Sequence, residues 1–82
     1  MANYAVQPGA RVVWCLKRRA TDVRCVVLSQ DMPVEVHVVH GPDVIVSEVF
    51  QEEWMALQWA RAYRERLCAQ GWHDVPDAAP EA

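Results

Sequence analysis

At about Gln51 the hydrophobic period of this chain changes from two to 3.6, and that switch decides which folds are open to it. Upstream lie RVVWCLK (Arg11 to Lys17), VRCVVLS (Val23 to Ser29), VEVHVVH (Val34 to His40) and VIVSEVF (Val44 to Phe50). Short runs so rich in β-branched and aromatic residues are strands. The polar RRATD separates the first two, and Met32-Pro33 precedes the third. Gly41-Pro42-Asp43 sets off the fourth, with Gly supplying backbone freedom and Pro a fixed φ.

Downstream, Ala56, Ala60, Tyr63 and Leu67 share one stripe of a helical wheel, flanked by Trp59, with Gln58, Arg61 and Glu65 opposite. The pattern predicts an amphipathic helix of about five turns. Gln51, Glu52 and Glu53 put negative charge where the helix dipole favours it. Gly71 is placed to close the helix as a left-handed cap, with Trp72 folding back on the last turn. The expected fold class is α+β: a four-stranded antiparallel β-meander with one C-terminal α-helix packed on one face, ββββα in two layers. Residues 10–72 are expected to form the single domain, with flexible tails over 1–9 and 73–82.

Side chains alternate along a strand, so folding the sequence about its turns gives the expected pairing. Folding about Ala20 sets Cys15 opposite Cys25; about Asp31, Cys25 opposite His37; about Gly41-Pro42, His37 opposite Val46. One face then carries Val12, Trp14, Leu16, Val26, Leu28, Val34, Val36, Val38, Ile45 and Val49, the expected seat of the helix. The other carries Val13, Cys15, Lys17, Val23, Cys25, Val27, Glu35, His37, Val39, Val44, Val46 and Glu48, which is very apolar for a face left in water. Exposed apolar patches mark interfaces. A chain of 82 residues also buries only roughly 60% of the surface its unfolded form exposes, a thin margin that oligomerisation would widen. A two-fold homodimer through Val13, Val27, Val39, Val44 and Val46 is therefore expected.

Cys15, Cys25 and Cys68 are odd in number and widely spaced, which fits neither a disulfide framework nor a CxxC zinc motif, so reduced thiols are expected. The N-terminus lacks a basic segment followed by an apolar run, and no stretch reaches ~18 apolar residues. A soluble cytoplasmic protein, without a membrane partner, is the expectation. The net charge of −3 argues against binding that depends on many phosphate contacts.

The expected row of Cys15, Cys25 and His37 would supply three zinc ligands, with Glu35 as a candidate fourth. The plainer reading, two small buried thiols and an interfacial histidine, is preferred, so no metal and no cofactor is expected. A Cys25–His37 dyad would bring a thiol to a base, but the pattern offers no cleft, oxyanion donors, phosphate loop or hydrolase motif; no catalytic residue is assigned. Trp54 lies on the polar side of the helix near its start, where the core has no need of it, and Met55 and Leu57 lie off the main stripe. These three form the expected partner-binding surface.

The strands WCLKRR, VRCVVLS, VEVHVV and VSEVF, and the helix EEWMALQWARAYRERLCAQGW, resemble a group of short bacterial ββββα proteins of unknown function. Their pattern is a Trp strand, a Cys strand, a Val-rich strand and a helix ending in Gly-Trp. The likeness covers Val12 to Trp72, implies the fold, and lends no catalytic residue. In topology alone the order is similar to the whirly-type single-strand-binding families, without their basic and aromatic residues.

A non-enzymatic protein-interaction module, homodimeric and acting on an unidentified protein, is the reading that results. Small acidic proteins of this kind include phage-encoded inhibitors of host defence complexes. The first alternative is single-stranded nucleic-acid binding through Lys17, Arg18 and Arg19; the second is a metal-supported or thiol-active protein.

Overall fold

A computed structural model describes residues 9–75. Four strands, β1 (Ala10–Arg18), β2 (Thr21–Leu28), β3 (Val34–His40) and β4 (Asp43–Phe50), are followed by α1 (Glu53–Ala69) and a two-residue strand, β5 (His73–Asp74). All pairings are antiparallel and the sheet order is β4-β3-β2-β1-β5. The fold is the α+β meander with one helix packed on it. Residues 1–8 and 76–82 of the expected tails lie outside the described residues. The segment from His73, expected to be loose, instead begins as an edge strand against Leu16 and Lys17, tied to the helix by Arg64 and Asp74.

Two details of α1 make its packing on the sheet close. Its inward residues are Ala56 and Ala60, both buried, so the backbone approaches without bulky spacers. The Trp14 indole N–H then reaches the Ala60 carbonyl at 2.8 Å. An aromatic band crosses beneath the helix, from Phe50 through Trp59 (6.2 Å) and Tyr63 (5.1 Å) to Trp14 (6.3 Å, nearly parallel rings). Aromatic pairs in this range add stabilisation beyond their buried area.

The helix ends as its sequence predicts. Gly71 has φ +99, its N–H bonds to the Cys68 carbonyl, and the Trp72 N–H bonds to the Leu67 carbonyl at 3.1 Å. That pairing is a Schellman closure. Leu67 and Trp72 both pack against the core. The start lies two residues later than Gln51: Glu52 is the N-cap, but its carboxylate accepts from the Trp54 indole N–H at 3.1 Å and caps no backbone group. Glu53 remains in the first turn, paired with Arg11 at 2.9 Å.

Register is where the structure departs from expectation. The β1–β2 turn is the pair Arg19-Ala20, not a turn centred on Ala20, so Cys15 pairs with Arg24 and Trp14 with Cys25. A bulge at Val13 and another at Ile45 each insert one residue. Because the side-chain period is two, each single-residue change exchanges faces. Trp14, Leu16, Val34, Val36 and Val38 lie on the helix side as expected. Val23, Cys25 and Val27 join them there, while Val12, Val26, Leu28 and Val49 move to the open side. Ile45 is exposed in its bulge.

Candidate functional site

The expected zinc row is not assembled. Cys25 lies in register with Trp14 and Val38, fully buried under the helix, and burial pushes its thiol up to about 12. Cys15 sits on the opposite face beside Arg24; its thiol is also raised, first by burial and then by Asp22. His37 pairs with Val26 and Ser47 on that open face and bonds to Glu35 at 3.1 Å. The same geometry separates Cys25 from His37, so the thiol–base dyad is not assembled either. Among the described residues no cluster of three His, Cys, Asp or Glu side chains is poised around a metal position.

The expected dimer face is also redistributed. Val27 and Val46 point to the helix side, and Val13, in the bulge, packs against the same core. These three are therefore withdrawn from any interface on the open face. Val39 is on that face but is fully buried, between Arg24 and Val44 in register. Val44 is exposed.

Of the helical positions expected to meet a partner, Trp54 is 60% exposed and Met55 is exposed, whereas Leu57 is half-buried against the core. Seven large apolar side chains are exposed among the described residues. Six of them, Met32, Val44, Ile45, Val49, Trp54 and Met55, lie on β4, at the start of α1 or in the loop beside it, and only Val12 lies elsewhere. Met32 and Pro33 share a hollow of about 450 Å³ with Gln51, and an adjoining hollow of about 390 Å³ is lined by Ser29, Met32, Val34 and Gln51 to Glu53. Pattern reading singled out Trp54 and Met55 but missed Met32. A methionine ahead of a proline in a polar loop carries no periodic signal, and the hollow arises only when Gln51 folds beside it.

Positive charge gathers at the other end. Lys17, Arg18 and Arg19 are exposed at the β1–β2 turn. The helical arginines are engaged within the chain: Arg61 with Glu65 at 3.5 Å, Arg64 with Asp74, and Arg66 over the Tyr63 ring at 5.1 Å. A third hollow, about 300 Å³, lies between the two hairpin turns and is lined by Ala20 to Asp22 and His40 to Asp43. No helix of the described residues is long and apolar enough to cross a membrane, and the three cysteines are unbridged.

Comparison with protein-family models, curated proteins and solved structures finds no match to this chain.

Proposed function

We propose that this chain is a non-enzymatic protein-interaction module whose contact surface runs along β4, the Met32 loop and the start of α1. The carrying observation is the concentration of six of the seven exposed large apolar side chains on that one side. Exposed large apolar side chains gathered on adjoining elements, with a tryptophan among them, have the composition of a binding hot spot. A regulatory inhibitor, including the phage-encoded kind, works through a surface of this sort. Unbridged thiols suit a reducing compartment, so the cytoplasm is the proposed location.

Affinity capture from a cell extract with the native chain and with Trp54→Ala and Val49→Lys tests the reading. A partner held by the native chain and released by both variants supports it; equal capture by all three overturns it. Circular dichroism shows whether the variants are folded.

Two other readings have a specific observation behind them. Val12, Val44 and Val49 are exposed on the open face, which favours a second copy as the occupant. Light scattering across a concentration range decides, since a dimer of this type dissociates on dilution. Lys17, Arg18 and Arg19 on an exposed turn favour a single-stranded nucleic acid. The aromatic platform such binding uses is committed elsewhere, with Trp14 buried and the helical Trp59 and Tyr63 packed against the core. Salt-dependent oligonucleotide binding lost on replacing Arg18 and Arg19 would establish that alternative.

A further inference from the structure

The two edges of the sheet differ in what covers them. On one side β5 pairs with Leu16 and Lys17, and the Val75 N–H reaches the Cys15 carbonyl at 3.3 Å. On the other, β4 is the terminal strand, and no described segment pairs with its outer side. Beyond the Ile45 bulge the ladder from Val46↔Val38 to Phe50↔Val34 runs without a break. A regular edge of this kind presents a row of backbone N–H and C=O groups to solvent, a template for one more strand.

The charge on this side is of one sign. From Cys25 to Ala60 the chain has six acidic residues and no lysine or arginine, while all eight basic residues lie outside that span. Arg11 compensates Glu53 from β1, but Asp43, Glu48 and Glu52 are exposed on β4 and its flank. Glu48 occupies the middle of the unbroken ladder, in register with Val36 and so on the helix side, while Val49 projects from the open side.

We infer that β4 takes up an extended basic segment of a partner protein as an added strand, with a lysine or arginine opposite Glu48 and an apolar side chain against Val49. The inference rests on the interaction-module reading and names the chemistry of its partner. Opposite charges paired across strands stabilise, and like charges in that position destabilise. The same rule disfavours a second copy here. Antiparallel pairing of Val46–Phe50 with itself, in full overlap, puts the two-fold axis through Glu48 and sets two carboxylates face to face.

Peptide titration of the full chain, followed by backbone amide chemical shifts, tests this. The probes are Thr-Val-Lys-Val-Lys-Val-Thr, its counterpart with glutamate for lysine, and a control with the lysines placed together at one end. The alternating lysine peptide is expected to shift the amides of Val46 to Phe50 and to bind roughly fivefold or more tightly than the glutamate peptide, from the reversal of one cross-strand charge pair. Glu48→Lys, a change at an exposed position, should reverse that order. Equal binding of the blocked peptide with shifts away from β4, an unchanged preference in Glu48→Lys, or binding of neither peptide overturns the inference. So does a native dimer whose amide shifts on dilution map to β4. Capture of a partner that depends on Trp54 would still stand in those cases, so the narrower claim can fail without the broader one.

Discussion

Trp14 and Ala60 hold the two layers together at one point: the indole N–H of the first strand donates to a backbone carbonyl in the middle of the helix, 46 positions away, at 2.8 Å and out of water. The bond exists because Ala60 has no side chain long enough to lift the helix off the sheet. A carbonyl within a regular helix also accepts the N–H four residues on, so it is not orphaned when the indole is removed.

Replacing Trp14 therefore separates hydrogen bonding from packing. Trp14→Phe keeps most of the ring and is expected to cost about 1–2 kcal/mol, while Trp14→Ala opens a cavity worth about 3–5 kcal/mol. Ala60→Leu, which overfills the same contact, is expected to cost about 1–3 kcal/mol. Urea unfolding followed by far-ultraviolet circular dichroism measures all three. A Phe variant as unstable as the Ala variant would mean that the hydrogen bond, not the ring, dominates.

Arg19 sits in the β1–β2 turn with φ +57, a left-handed conformation it holds without glycine's freedom. Its counterpart in the β3–β4 turn is Gly41, with φ +63. A left-handed conformation costs a residue with a Cβ roughly 1–2 kcal/mol, and glycine returns roughly 0.5–1 kcal/mol of that as lost chain entropy. Arg19→Gly is expected to raise stability by about 0.5–1 kcal/mol. Arg19→Ala should leave it within about 0.5 kcal/mol, because only the backbone term matters. An equal gain in both variants would trace the effect to charge instead.

The sequence made the elements readable more easily than their faces. The helix end was legible because Gly71 and Trp72 follow the last apolar turn in the order a Schellman closure requires. The helix-side positions of β3 were also legible, since Val34, Val36 and Val38 alternate strictly. β2 was not: VRCVVL is apolar on both faces, so its pattern specifies no register, and one-residue shifts at the Arg19-Ala20 turn and in the loop before β3 together decide that Cys25 rather than Val26 points at the helix. The bulges at Val13 and Ile45 were hidden for the same reason, each lying within a run of consecutive apolar residues. The candidate zinc row depended on the β1–β2 and β2–β3 registers and fell with them. Trp54 was legible because one large apolar residue on a polar helical face stands out whatever the register of the sheet.

Cys25 gives the chain a pH signature. Its thiol is raised from an ordinary 9.0 to about 12 by burial, so the folded state holds the proton more tightly than the unfolded state. Stability from keeping it protonated is complete below pH 9 and is lost as pH climbs toward about 12. Denaturant midpoints measured across this window should fall with pH, and the fall should be shallower in Cys25→Ala, although that variant starts from a lower stability. In the native protein at neutral pH, a thiol reagent is expected to modify the half-buried Cys15 and Cys68 well before the fully buried Cys25. Mass mapping of the labelled chain checks the order, and early labelling of Cys25 would contradict its burial.

Trp54 separates function from fold most cleanly. Its ring is 60% exposed and its one bond is to the neighbouring Glu52 carboxylate at 3.1 Å, while Trp14, Trp59 and Trp72 pack with the core. Trp54→Ala is expected to change stability by no more than about 0.5 kcal/mol and to remove the component of fluorescence most open to acrylamide. If the side chain anchors a partner, the same variant should weaken that complex by about 2 kcal/mol, roughly thirtyfold. A fall in stability above about 1 kcal/mol with partner affinity unchanged would mean that the indole steadies the helix start through Glu52, and that the contact surface lies along β4 alone.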